Sequence, residues 1–425
     1  MRERTLIVGL ALPRDNRIEQ SMDELERLVD TAGGEVIGRI VQVASKINPS
    51  TYVGKGKVAE IQEMAAAMEI ELVVINHELS GSQIRNLEEA TEVKILDRTG
   101  LILDIFASRA RTGESILQVQ LAQAEYMLPR LVGYRNYLSR TGGGIGTRGP
   151  GEQKLETDRR HIRRQIDAIK GQLEKRTRNR EVKGRQRKAN ATPVVSMVGY
   201  TNAGKSTLMN EILGSAGGAT DKLVYADDRL FATLDTSHRR IETEGRQPFV
   251  LSDTVGFVKD IPIHLIEAFQ STLDELHEAD LILFVLDAST NDLELQKEAM
   301  REVLDRLDVH DAPILEVYNK MDMVSDQLFL VDPPKNDIER IFISALKSED
   351  IARLLEKIEE LLTQDQVRRQ ILLPYARSDL LGNLLGMGVL LERRDEEDGI
   401  YLDLRIRKED LARLEKLELI ADEHL

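Results

Sequence analysis

The 425 residues contain no cysteine. Disulfides, thiolate metal sites and a thiol nucleophile are therefore excluded, which fits a reducing cytoplasm. Long apolar runs are missing as well. The most apolar, "LILFVLDA" (281–288), is far short of the ~20 residues that cross a bilayer. The opening "MRERTLIVGLALPRDNR" has an apolar stretch too short and too interrupted for a signal peptide. An excess of positive charge is also lacking. A net charge of −15 argues against broad nucleic-acid binding. These absences predict a cytoplasmic protein with no membrane span, long enough for two to four domains.

The charge is unevenly spread. Arg159 to Lys188 holds 13 Lys/Arg and 3 Asp/Glu, a local net of +10, which leaves −25 for the other residues. Such a run is either a solvated helix face or an arm that binds RNA while the acidic body repels it.

Hydrophobic periodicity divides the chain into four parts. Residues 1–112 alternate strand and helix signals. "TLIVGLAL" (5–12) is followed by a helix with Met22, Leu25, Leu28 and Val29 on one face and a Gly pair as its stop. "EVIGRIVQVA", "ELVVINH" and "EVKILD" read as strands, "KVAEIQEMAAAMEI" and "SGSQIRNLEEAT" as helices, so a small parallel α/β layer is expected. Residues 113–190 read as long helices around a Gly-rich patch, "SRTGGGIGTRGPGE" (139–152). The basic stretch 153–188 has strong helix formers and almost no apolar face, and could form a hairpin with 114–137. Residues 191–364 carry the nucleotide motifs below. Residues 365–425 read strand, helix, strand, turn, strand, helix, a small α+β domain.

"GYTNAGKST", Gly199 to Thr207, fits G-x-x-x-x-G-K-[ST]. The apolar run "PVVSMVG" leads into it and the helical "STLMNEIL" follows. A buried strand feeding a Gly-rich turn into a helix N-terminus aims backbone N–H groups at an anion. Gly199 and Gly204 permit the turn, with Tyr200, Thr201, Asn202 and Ala203 between them. Lys205 is placed to reach the β- and γ-phosphates and Ser206 to offer its hydroxyl to Mg²⁺, with Thr207 after them in the nucleotide-binding set. Downstream, "NKMD" (319–322) follows the strand-like "PILEVY". Asp322 can accept from the two donors on guanine's Watson–Crick edge, a pair adenine lacks. Asn319 would bond the base and tie loops together, and the Lys320 stem would cover one base face. "SAL" (Ser344, Ala345, Leu346) can bring a backbone N–H near guanine O6. Asp253 of "DTVG" caps the strand "PFVLSD" and can hold Mg²⁺ through water; Thr254 follows it in the nucleotide site, and the Gly256 N–H can sense the γ-phosphate. The switch threonine lies in "RLFATLDTSHRR", with Thr233 preferred and Thr236 as the alternative. Four motifs in order, each at a strand end, predict a P-loop GTPase domain with a mostly parallel sheet and flanking helices.

With these motifs in place, the chain resembles the HflX family of translation-associated GTPases over essentially its whole length. The G motifs mark only a GTPase. The specific likeness lies in "GGGIGTRGPGEQKLETDRRHI" (142–162), "YVGKGK" (52–57) and "ILDRTGLILDIFASRARTGE" (95–114). The resemblance implies an α/β N-terminal domain with a long helical hairpin, then the GTPase domain, then a small α+β domain. It implies binding of GTP and GDP, and binding to the large ribosomal subunit with the N-terminal domain near the peptidyl transferase centre. It further implies dissociation of stalled or idle ribosomes under stress, by a protein acting as a monomer. A large-subunit assembly or placeholder factor is the alternative. The family's switch I usually reads T-L-D-P-T, and here Thr236 stands at the proline.

Read residue by residue, "TGGGIGTRGPGE" is too glycine-rich to pack a core. It is either an RNA contact or a flexible hinge. Gly142, Gly143 and Gly144 would let the backbone approach closely, and Arg140 and Arg148 on either side could meet phosphates. Arg159, Arg160, Arg163 and Arg164 then fall on neighbouring stripes of one helix face, as a phosphate-tracking arm would. "VGKGKV" (53–58) lacks a Ser/Thr after its last Lys and reads as a turn opening a helix. Phe257 sits after Gly256, where many GTPases carry a water-orienting Gln. A phenyl ring cannot hold water, so the free protein is expected to hydrolyse GTP slowly, since missing trans-acting groups are worth ~10³–10⁵ in rate. As a plug it would equally pack switch II. Asn202 matches GTPases in which an Asn helps hold K⁺ between the phosphates, and Arg229 is a built-in finger to test.

Overall fold

A computed structural model of the chain describes residues 2–13, 17–131, 150–189, 192–216, 237–243, 247–253, 274–290, 293–306, 309, 312–324, 338–364, 366–408 and 411. Among these, contacts divide the chain into two compact units, the first ending at Arg176 and the second beginning at Thr177.

The first unit is built on four parallel strands in the order β2-β1-β3-β4. They are β1 (Glu3–Ala11), β2 (Gly34–Val43), β3 (Leu72–Ile75) and β4 (Lys94–Asp97). Strand β1 is central, and its consecutive Leu6, Ile7 and Val8 are all fully buried. That is the signature of a parallel strand covered on both faces. Helix α1 (Ile18–Ala32) buries Met22, Leu25, Leu28 and Val29 and ends at Gly33, whose φ of 92° suits the left-handed cap. Helix α2 (Lys55–Ala67) opens directly after Gly54, so "VGKGKV" is indeed a turn into a helix. Helix α3 (Gly81–Thr91) starts on a capping box formed by Ser80 and Gln83.

A helix not anticipated from periodicity follows at once: α4 (Arg98–Arg109), capped by Asp97, which accepts from the Gly100 N–H at 2.8 Å. Leu101, Ile102, Leu103, Ile105 and Phe106 are all buried, and only Asp104, Ala107 and Ser108 are exposed, a narrow stripe. The Asp97 carboxylate is fully buried and also accepts from Tyr126 Oη (2.7 Å), the Leu79 N–H (2.9 Å) and Arg130 (2.8 Å). The Arg130 guanidinium lies 3.4 Å from the Tyr126 ring centre. Burial, then the Asp97 charge, holds the Tyr126 phenol protonated well above its ordinary range. This cluster fixes helix α5 (Gly113–Arg130) against the end of the sheet.

Helix α6 (Pro150–Ala189) has 40 residues, about 60 Å of helix. The expectation of almost no apolar face needs correcting. Ile162, Ile166, Ile169 and Leu173 form a seam that packs on Leu117, Leu121, Ala124 and Leu128 of α5. Lys170 adds an ion pair to Glu125 at 2.9 Å. The spacing of 4, 3 and 4 is a helix–helix seam embedded in a basic helix. The hairpin of α5 and α6 is therefore real.

In the second unit a six-stranded sheet has the order β10-β9-β8-β5-β7-β6. The strands are β5 (Val194–Gly199), β6 (Ser237–Ile241), β7 (Phe249–Asp253), β8 (Leu281–Asp287), β9 (Ile314–Asn319) and β10 (Glu339–Phe342). Only the β6–β7 pairing is antiparallel. One face packs on α7 (Lys205–Ser215) and α9 (Ser348–Thr363) through Val195, Met197, Leu251, Leu283, Leu208, Ile212, Ile351 and Leu355. Helix α8 (Leu293–Arg306) places Lys297 and Arg301 by the buried Glu316 of β9, at 3.7 and 3.4 Å. Arg340 of β10 reaches the same carboxylate at 3.1 Å. A three-stranded antiparallel sheet, β11 (Gln366–Leu373), β12 (Gly388–Glu396) and β13 (Gly399–Arg407), follows in the order β11-β13-β12. Leu384 of the short α10 (Leu381–Met387) packs in the core formed by Ile371, Leu373, Leu402 and Leu404. Arg405 meets Glu359 of α9 at 3.1 Å.

Candidate guanine-nucleotide site

The carboxyl ends of β5, β7, β8 and β9 converge. Three of them end in residues expected in the site, Gly199, Asp253 and Asn319, and β8 ends in Asp287 next to β9. This is the crevice where open α/β sheets take ligands. The phosphate loop runs from Gly199 into α7. A side chain at Gly199 would collide with the Val285 carbonyl, and one at Gly204 with the Asn319 amide. Gly204 also has φ 91° and Asn202 φ 63°, so both turn through the left-handed region. Gly204 caps α7 with no side-chain hydrogen bond and no acidic residue follows in the first turn. The first-turn N–H groups at Lys205, Ser206 and Thr207 thus keep their positive end for an anion.

Lys205 is buried, and its ammonium donates to the Gly199 and Tyr200 carbonyls at 3.0 and 2.9 Å. Burial pushes it down to about 8, against a smaller upward pull from Asp253. Asp253 is fully buried at the end of β7. The Thr201 hydroxyl is buried without a hydrogen-bond partner. A carboxylate and the Ser206 hydroxyl are hard oxygen donors, the set that suits Mg²⁺ shared with phosphates. Among the described residues no group of three His, Asp or Glu could hold a metal ion.

The base side of the site is held by one residue. Asn319, 1% exposed, donates from Nδ2 to the Ala203 carbonyl at 3.0 Å and accepts at Oδ1 from the Ala345 N–H at 2.9 Å. It joins the phosphate loop, 116 residues before it in sequence, to the "SAL" loop, 26 residues after it. Lys320 has φ 62°, and its ammonium donates to Asp287 Oδ2 at 2.8 Å. Asp322 accepts from Ser344 Oγ at 2.5 Å, which turns its carboxylate toward the "SAL" loop. The Ser344 N–H in turn donates to Asp350 of α9 at 2.8 Å. Two apolar side chains of these loops are exposed, Leu346 at 73% and Met323 at 67%. Asp287 and Asp350 were not anticipated. Neither belongs to a phosphate- or base-reading motif, and only the strand pairing brings Asp287 beside Asn319.

The structure thus brings Gly199 to Thr207, Asp253, Asn319 to Asp322 and Ser344 to Leu346 to one side of one sheet. Thr233, Thr236, Thr254, Gly256, Phe257 and Arg229 lie outside the described residues, as do Arg140, Gly142, Gly143, Gly144 and Arg148. Arg160, Arg163 and Arg164 are exposed on α6 and Arg159 is half-buried, with Glu156 pairing Arg160 at 3.7 Å.

A six-stranded sheet with this loop and this base end defines a P-loop GTPase domain. Residues 194–320 match the family model described as 50S ribosome-binding GTPase. Residues 19–107 and 109–187 match the N-terminal and middle regions of a GTP-binding GTPase, and 331–420 the HflX C-terminal domain. GTPase HflX of Caldanaerobacter subterraneus is 44% identical, the match covering 97% of this chain and 93% of that one. GTPase HflX of Escherichia coli is 41% identical, over 98% and 96%. The chain belongs to the HflX family of GTPases. GTP hydrolysis is the family's chemistry, and Mg²⁺ its usual metal. Among the described residues no helix is long and apolar enough to cross a membrane.

Proposed function

We propose that this chain binds the large ribosomal subunit and separates stalled or idle ribosomes, with GTP hydrolysis stimulated by the ribosome. The observation that carries the reading is the α5–α6 hairpin. Its apolar seam anchors one side of a 40-residue helix and leaves Arg160, Arg163 and Arg164 exposed. A braced basic rod on an acidic chain suits a phosphate-lined surface, with repulsion elsewhere setting the docking orientation. Arg159 supports the same face, and the segment with Arg140, Gly142, Gly143, Gly144 and Arg148 leads into that helix. Contact with ribosomal RNA near the peptidyl transferase centre, a monomeric state, a cytoplasmic location and a role in stress belong to this proposal.

In the nucleotide site, Lys205 exchanges its two loop carbonyls for the β- and γ-phosphates. The first-turn N–H groups of α7 hold the same oxygens. Asp322 accepts from guanine N1–H and the 2-amino group, and the Ala345 or Leu346 N–H approaches O6. Asn319 keeps the two loops in register. Ser206, Asp253 and Thr233 would hold Mg²⁺, which neutralises phosphate charge when bound. Thr254 and Gly256 follow Asp253 toward the γ-phosphate. Phe257 cannot orient water, so a surface of the ribosome completes the site; Asn202 would hold K⁺, which would supply charge that an arginine would otherwise bring. GTP holds the binding-competent form, and hydrolysis releases the protein.

Sedimentation of intact ribosomes with this protein and a non-hydrolysable GTP analogue tests the proposal. Conversion to free subunits is expected. Binding without conversion would leave an assembly or placeholder role instead.

A further inference from the structure

We propose that Asp287 is a positioning residue for the guanine base, acting through Lys320. This rests on the reading of Asn319 to Asp322 as the base-binding loop. Asp287 ends β8 and pairs in register with Asn319 at the end of β9. Its Oδ2 accepts from the Lys320 ammonium at 2.8 Å. Its Oδ1 accepts from the Ser289 N–H at 3.0 Å and the Ser289 hydroxyl at 2.5 Å. Next to it, the Ala288 N–H donates to the Asn319 carbonyl at 2.9 Å. The carboxylate is therefore fixed by two bonds of its own before it takes the ammonium.

A lysine whose methylene stem must lie along a flat ring has four torsions to set. Free in water, it gives up much rotamer entropy on ordering. Here the far end of the stem is tethered, with the side chains of Lys320 and Asp287 only 22% and 17% exposed. The near end is fixed by the left-handed turn at Lys320, φ 62°. The stem is thereby stretched between two fixed points before any base arrives, and the ordering cost is removed from the binding step. Asp287 need touch no atom of the nucleotide.

Such a wall is the same for GDP and GTP and for ground and transition states. Its loss raises KM and leaves kcat unchanged, the pattern of uniform binding. The experiment is a double-mutant cycle with Asp287→Asn, Lys320→Met and both, on the full chain, read by fluorescent-GDP titration and by KM and kcat for GTP. Asp287→Asn is expected to weaken GDP by about fivefold to twentyfold, the range of one partly shielded charge-assisted contact. In the Lys320→Met background the same change is expected to cost less than about twofold. Equal losses in both backgrounds, or a fall in kcat at unchanged KM, would overturn the proposal. Should Asp287→Asn not fold, Lys320→Met alone decides: an unchanged GDP affinity refutes the tethered wall. Asp322→Asn run alongside separates the two readings. If it fails to shift preference from guanine toward xanthine nucleotides, the base-loop reading itself fails. If it shifts preference and the cycle shows no coupling, only the role of Asp287 fails.

Discussion

Asn319→Ala isolates what the base loop contributes to the fold from what it contributes to the ligand. The side chain makes two buried bonds, to the Ala203 carbonyl and from the Ala345 N–H, and both residues that receive them are buried. Truncation leaves an acceptor and a donor with no partner. Each such orphan costs about 1–3 kcal/mol, so the nucleotide-free protein should lose roughly 2–6 kcal/mol. In a unit of this size one kcal/mol corresponds to about 2–4 °C, which places the expected fall in Tm at about 4–24 °C. Asp322→Asn is the control. Asp322 is exposed and its partner is the Ser344 hydroxyl, which can donate to an amide oxygen equally well. Its melting temperature should move by less than about 2 °C, while its guanine preference is lost. The assay is thermal unfolding of the two variants with nucleotide stripped, followed by GDP titration. An Asn319→Ala protein that melts with the wild type would refute the claim that this residue staples the loops.

Two further outcomes follow from the same geometry. Burial holds Lys205 near 8, below its ordinary 10.5. Between those values the unfolded chain keeps a proton the folded one has shed, so the burial cost is full below pH 8 and is relieved as pH rises toward 10.5. The nucleotide-free wild type should therefore gain stability on Lys205→Met between pH 7.5 and 9.5, as read by paired melting curves; a constant gap would contradict the burial. Arg163→Glu with Arg164→Glu should weaken binding to large ribosomal subunits by at least about tenfold at physiological salt and flatten the salt dependence by about two contacts. GDP affinity should stay unchanged, and a variant that binds subunits normally would remove α6 from the interface.

The legible parts of this chain are those in which a few adjacent residues carry both conformation and chemistry. "GYTNAGKST" announces its loop because Gly204 must turn left-handed and Lys205 must follow it; "NKMD" and "SAL" announce a guanine end for similar local reasons. Strand β1 and helix α1 were readable from their apolar period. Helix α4 was not, because Arg98, Thr99 and Gly100 are buried along with Leu101, Ile102, Leu103, Ile105 and Phe106, and Asp104, Ala107 and Ser108 leave only a narrow exposed stripe to count. The seam on α6 was masked by charge: four apolar residues among so many arginines read as scatter until α5 is placed opposite. Long-range clusters are the hardest. Asp97, Tyr126 and Arg130 meet across 29 and 33 residues of sequence, and no local rule joins them. Asp287 belongs to the same class, since its partner lies on the neighbouring strand.

The central claim is that the ribosome completes a GTPase whose own site lacks a water-orienting side chain at Phe257. It is tested most directly by GTP turnover of the purified chain, in K⁺ and in Na⁺, with and without large ribosomal subunits. The account predicts slow turnover alone and a rise of at least about tenfold with subunits, larger in K⁺ if Asn202 holds the ion. Fast turnover without subunits in either salt would contradict it.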